Sequence, residues 1–247
     1  FDAGRRYAWF YKRIHELAKE HDPDAVVNGY IYLNYFIAPK DIKLNPNIIL
    51  TFVPWGGWYY PRDPEAQRWL QEQWEHWRAT GARLLYRPNF TLDGGTMPLN
   101  YATQMGEELH AFYQKGCIGT DFDYLTAQWA VQGPTVYLLH RHLSRPDRSP
   151  KALLEEYYRA FGPAEKSVAR YFQYWETYAF ENRKRWQQVM KQAGATNLLT
   201  YSRAAGALFP KSAFDEASRL LAQAEAEAAE SPGHRARVRY LRLGVTH

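Results

Sequence analysis

The sequence predicts an α/β fold of parallel β/α units over residues 1–125, followed by an α-helical region over residues 126–247. Two observations carry this. Short β-branched and aromatic runs alternate with apolar residues at helical spacing as far as Tyr124, and beyond it only helical spacing continues, opened repeatedly by proline. Strands separated by helical stretches pair in parallel, because the chain must cross back over the sheet between them.

Within residues 5–21, Tyr7, Phe10, Tyr11, Ile14, Leu17 and Ala18 recur at helical spacing. Asp22-Pro23-Asp24 breaks this helix, and residues 25–32 form a short β-rich run. After a loop containing Pro39, residues 47–53 form a second strand, stopped by Pro54. Residues 63–80 read as a helix with Asp63 as N-cap and Pro64 at its first position. Gly81 ends it before a third strand at 83–87; residues 100–115 are helical, Gly116 stops them, and residues 117–123 are the fourth strand. Four such units are half of the roughly eight strands that a closed barrel requires. In the second half, Gly133-Pro134 is expected to open a helix through about Leu143, Pro150 another through Ala160, and Pro163 a long one. Residues 212–230 and 232–243 supply two more.

Composition removes several classes of function. With 247 residues, 46% hydrophobic and 23% charged, the chain is neither disordered nor fibrous. No apolar run approaches the roughly 18–20 residues of a membrane span, so no membrane partner is expected. The single Cys117 excludes an internal disulfide framework and a Cys-cluster metal site. Dinucleotide, P-loop, nucleophile-elbow and zinc-protease signatures are missing, and His140 and His142 are two apart on a helix and face different ways, so neither cofactor nor metal is expected. The first residue is Phe1 and a helix follows at once, which suggests that a segment was processed away or that the chain is a fragment. An upstream signal peptide would send the protein to the periplasm or outside the cell. The outlier is an aromatic content of 16%.

In parallel β/α architectures, ligands bind beyond the carboxyl ends of the strands. Those ends carry Tyr30 and Tyr32, then Trp55 and Trp58 in a Gly-containing loop, then Tyr86, Asn89 and Asp93, then Asp121 and Asp123. Sugars need this mixture, since their C–H faces stack on rings while their hydroxyls bond to amides and carboxylates. Asp121 and Asp123, two apart on a strand, point to the same side about 6.6 Å apart at ~3.3 Å per residue. Paired carboxyls of this kind divide into acid and nucleophile, base or orienter in glycoside hydrolysis. A helix N-cap for Asp123 and an ion pair for Asp121 are the alternatives. Tyr30 and Tyr32 share one strand face and suit interior filling as well as substrate contact. Asp93 before Gly94-Gly95 suits a turn. Trp69, Trp74 and Trp77 fall inside a helix and are expected in the core.

The stretch from Gly116 through Gly119-Thr120-Asp121-Phe122-Asp123 to Leu125 is followed by Gln128-Trp129-Ala130-Val131-Gln132-Gly133. With Phe161-Gly162-Pro163-Ala164 and Arg237-Val238, it resembles a bacterial domain-of-unknown-function family of glycoside hydrolases, related to α-glucuronidases and endo-β-N-acetylglucosaminidases. The resemblance implies the later strands of a TIM-type (β/α)8 barrel, with the helical region packing on it. It also implies a carbohydrate substrate hydrolysed by carboxyl acid/base or neighbouring-group catalysis. Asp121 and Asp123 occupy the family's last-strand motif; Trp55, Trp58, Tyr30, Tyr86 and Trp129 are candidate stacking rings, and Asn89 and Gln132 candidate amide contacts.

Two other classes compete. A non-catalytic carbohydrate-binding protein would keep sugar binding without turnover. A helical scaffold or nucleic-acid-binding protein would use the basic tail at Arg235, Arg237, Arg239 and Arg242, although that spacing suits a solvated face better, so no nucleic-acid partner is expected.

Overall fold

The computed structural model describes residues 2–54, 62–88, 97–122, 128–195 and 202–246. The chain divides into two compact units. One comprises residues 1–56, 62–89 and 108–123, and the other residues 57–61, 90–107 and 124–247.

The first unit is mixed α/β. Its strands β1 (Val27–Ile31), β2 (Ile48–Phe52), β3 (Arg83–Tyr86) and β4 (Cys117–Thr120) form one parallel sheet in the order β1-β2-β3-β4. The register aligns Ile31, Phe52 and Tyr86 across three strands and Tyr86 with Thr120 on the fourth. Alternation then puts Tyr30, Thr51 and Leu85 on the opposite face.

Helices supply the cover for the first of these faces. Helix α1 (Ala3–Ala18) is capped by the Asp2 carboxylate, which accepts from the Arg5 N–H at 2.8 Å. Its Tyr11 ring lies against Gly29, where a Cβ would sit only 2.5 Å from the ring, so β1 needs glycine there for the helix to approach. Helix α2 (Pro64–Arg78) begins as its sequence predicts, with the Asp63 carboxylate accepting from the Ala66 N–H and proline in the first turn. Its Trp74 and the Phe112 ring of α3 (Ala102–Gln114) stack at 4.5 Å and meet Phe52 edge-on, while Phe112 also packs on Tyr86 at 4.7 Å. Trp74 and Trp77 are fully buried, and Trp69 stacks on Phe36.

The second unit is helical: α4 (Trp129–Ser144), α5 (Pro150–Arg159), α6 (Glu165–Gln192), α7 (Ser202–Leu208), α8 (Lys211–Glu227) and α9 (Pro232–Thr246). Ser149 caps α5 by accepting from the Ala152 N–H, with Pro150 in its first turn. The long α6 buries Val168, Tyr171, Phe172, Trp175, Ala179 and Trp186, spaced by three, four and seven residues, and packs on α8. Gly133-Pro134 does not open α4, as the sequence suggests, but lies within it. So close to the helix start, the missing proline N–H removes a single bond, to the Ala130 carbonyl.

Candidate functional site

Three expected residues of the sheet unit, Tyr30, Tyr86 and Asp121, fall among the described residues, and two of them, Tyr30 and Asp121, share Arg87 as a partner. At the carboxyl end of β3 the chain turns from Tyr86 to Arg87, and successive residues alternate sides. The Arg87 guanidinium donates from Nε to Asp121 Oδ1 at 3.0 Å and from Nη2 to Asp121 Oδ2 at 2.7 Å. This is the bidentate geometry that a planar guanidinium and a carboxylate favour. The same Nη2 donates to the Tyr30 hydroxyl at 3.1 Å, and the guanidinium carbon lies 5.0 Å from the centre of the Tyr30 ring. A ring from β1 and a cation and a carboxylate just past the ends of β3 and β4 thus form one cluster at the carboxyl ends of the strands. Tyr30 is exposed, Asp121 is half-buried, and the Arg87 side chain is only 15% exposed.

The backbone beneath Tyr30 is held from the helix side. The Tyr11 hydroxyl donates to the Tyr30 carbonyl at 2.9 Å and accepts from the Tyr30 N–H at 3.1 Å. Burial pushes the Tyr11 hydroxyl up to about 12, so it remains a donor throughout the neutral range.

Tyr86 lies on the other face. It is fully buried, packs on Phe112, and donates its hydroxyl to Glu108 Oε2 at 2.7 Å. Its ring faces are spent on packing, so it does not present the stacking surface expected of it. Glu108 also accepts two bonds from Arg62 Nη1, at 2.8 and 2.9 Å, and both side chains are about 5% exposed or less. Burial, chiefly, and the Glu108 charge raise the Tyr86 hydroxyl well above its ordinary value. This buried Arg62–Glu108–Tyr86 network joins the residues before α2 to β3 and α3, and no local sequence signal announced it. Alternation after Tyr86 turns Arg87 to the opposite side, and the strand register makes that the side of Tyr30.

In the helical unit, Trp129 stands at the start of α4 and is 42% exposed. Gln132, one turn on, is 1% exposed, and neither its amide oxygen nor its nitrogen has a hydrogen-bond partner. It is therefore a buried side chain, not a surface amide open to sugar hydroxyls. Trp55, Trp58, Asn89 and Asp123 lie outside the described residues, as does Asp93. Among the described residues, no group of three or more His, Cys, Asp or Glu side chains could hold a metal ion, and no helix is long and apolar enough to cross a membrane.

The arrangement sets an exposed ring, a guanidinium and a carboxylate side by side at the strand ends, joined by directed hydrogen bonds. Asp121 takes two guanidinium bonds, so both its oxygens are engaged by Arg87. A family model described as a domain of unknown function (DUF4838) matches residues 4–174, from α1 through all four strands into α6. No curated protein and no solved structure matches the chain.

Proposed function

The chain belongs to the family described as a domain of unknown function (DUF4838), and from that premise we propose that it is a glycoside hydrolase-like protein acting on the glycosidic bonds of a glycan. The observation that carries the proposal is the Tyr30–Arg87–Asp121 cluster at the carboxyl ends of a parallel sheet. Consecutive strand order with rings of α1, α2 and α3 meeting one face supports the later part of a (β/α)8 barrel. A doubly wound sheet would instead reverse its order and place helices on both faces. In a barrel the face of Tyr30, Thr51 and Leu85 is the inner one, and a cluster at its mouth occupies the position where such enzymes act.

In this reading Asp121 orients Arg87 and places negative charge beside a sugar whose anomeric carbon becomes cationic as the bond breaks. The proton for the leaving oxygen comes from another carboxyl, a role for which the sequence offers Asp123. Trp55, Trp58 and Asn89 are proposed to contact the sugar. The test is hydrolysis of a panel of nitrophenyl glycosides and oligosaccharides by the full-length protein. Asp121→Asn and Arg87→Met are each expected to lower kcat/KM at least a hundredfold; full activity in both variants would overturn the assignment.

A second reading, a non-catalytic carbohydrate-binding protein, is favoured by the engagement of both Asp121 oxygens by Arg87. It predicts glycan binding with no turnover by the wild-type protein. A nucleic-acid role draws little support from the basic tail, because Arg235, Arg239 and Arg242 converge on Glu225, at 3.3, 2.7 and 3.1 Å.

A further inference from the structure

We propose that the cleft between α4, α5 and α9, wholly within the helical unit, is a second sugar-binding site that takes a pyranose residue of a glycan. Its class of ligand rests on the carbohydrate reading above; its geometry does not. The cleft is a cavity of about 470 Å³, within the ~300–1,000 Å³ range of small-molecule sites. Trp129 of α4 and Tyr240 of α9 line it while 42% and 47% exposed. Large half-exposed rings gathered in one concavity are what an amphipathic ligand needs and what a finished core avoids.

Deeper in the cleft lie Tyr157 and Phe161, 5.5 Å apart and edge-to-face, both nearly buried. Tyr157 reaches that depth because residue 133 of α4 is glycine: a Cβ there would overlap the Tyr157 hydroxyl. The polar groups are already oriented. Glu156 accepts from the Tyr137 hydroxyl at 2.6 Å and from Arg141 and Arg148 at 2.8 and 2.7 Å, and these bonds hold its carboxyl below the usual range. Arg237 donates to the Ala160 carbonyl at the end of α5 and keeps further N–H groups for a ligand.

A purely apolar occupant would strip water from Glu156 and Arg237 without replacing those bonds. A sugar ring satisfies both requirements, with C–H faces on Trp129 and Tyr240 and hydroxyls toward the carboxylate and the guanidinium. Commitment to a pyranose follows from this pairing of ring walls with two opposite, preoriented charges.

The experiment uses an array of immobilised neutral, acetamido and uronic pyranosides, probed with wild-type, Trp129→Ala, Tyr240→Ala and Asp121→Asn proteins. Both truncated rings are half-exposed, so the fold should tolerate them; circular dichroism melts check this, and Trp129→Phe keeps a stacking face. The proposal expects array binding that falls about tenfold in Trp129→Ala and in Tyr240→Ala and is largely restored in Trp129→Phe, whatever Asp121→Asn does to hydrolysis. Absence of binding to every class on the array overturns it. So does binding that both ring truncations leave unchanged. Binding abolished by Asp121→Asn but kept by the ring truncations overturns the cleft and leaves the strand-end reading standing.

Discussion

Helix α1 of the sheet unit and helix α6 of the helical unit bury their rings differently. Along α1, Ala8, Tyr11 and His15 face the sheet, yet Trp9, Phe10, Ile14 and Leu17 stay exposed, Trp9 by 59%. Phe10, Ile14 and Leu17 repeat at i, i+4 and i+7, so the helix carries a second apolar stripe on its outer side. Along α6, Tyr171, Phe172, Trp175 and Trp186 are all fully buried, and Trp175 packs edge-on against Phe214 of α8 at 5.3 Å. The sheet unit therefore concentrates its apolar stabilisation in one layer, the Phe52–Trp74–Phe112–Tyr86 stack, whereas the helical unit draws on rings distributed along a long helix. Particular buried polar groups also differ. In the sheet unit the Arg62–Glu108 pair and the Tyr86 hydroxyl bond to one another, although His15 Nε2 has no partner. In the helical unit the Gln132 amide and the Tyr157 hydroxyl have none.

The largest effect that would test this contrast belongs to Glu108. Glu108→Ala removes the carboxylate that takes bonds from a guanidinium only 4% exposed and from the Tyr86 hydroxyl. Breaking a buried pair in this way costs roughly 3–5 kcal/mol. Urea denaturation measures it, with Glu108→Gln expected to lose less because it keeps an acceptor. A loss under about 1 kcal/mol would mean that the sheet unit does not depend on its charge network.

Gln132 should behave in the opposite sense. Gln132→Met replaces a 1% exposed amide with no partners by an apolar chain of similar length, and is expected to stabilise by about 1–2 kcal/mol. A raised Tm would confirm that the helical unit carries unmet polar groups. A lowered Tm would show that the amide finds partners in solution.

The smallest effect is one of pH. Burial raises the Glu176 carboxyl to about 7, against the opposing bonds it accepts from the Thr103 N–H and hydroxyl at 2.7 and 2.8 Å. A carboxyl whose folded value lies above its unfolded one favours folding while protonated. Its contribution is thus fully present below about pH 4.5 and is lost as pH rises through about 7. Because Glu176 is only partly shielded from solvent, the expected change is under about 1 kcal/mol. Glu176→Gln should flatten the stability profile between pH 5 and 8; an unchanged slope would assign that slope to other groups.

Much of the fold was legible because its signals are local. Asp63-Pro64 and Ser149-Pro150 mark helix starts within two residues, Gly81 and Gly116 mark stops, and both glycines adopt positive φ. The candidate site was legible in location but not in pairing. Asp121 stood at a strand end, where its alternative as half of an ion pair was evident, but its partner Arg87 lies 34 residues earlier, and only the register of β3 against β4 brings them together. Gln132, a candidate amide contact in the sequence, is turned by the helix into the interior, a placement that its one-dimensional neighbours do not record.

The sequence by itself determined the strand order, the helices other than α7 (Ser202–Leu208), the parallel pairing, the capping of α2 and the burial of Trp74 and Trp77. Each follows from spacing within a dozen residues and from the chain's need to cross a sheet between strands. Tertiary structure alone decided that Tyr86 faces the helices while Arg87 faces Tyr30, that Glu108 receives Arg62, and that Trp129, Tyr157 and Tyr240 gather around one cleft. Those outcomes depend on which faces meet across long stretches of chain. A one-residue change of register would exchange one face of a strand for the other, and no local pattern records that choice.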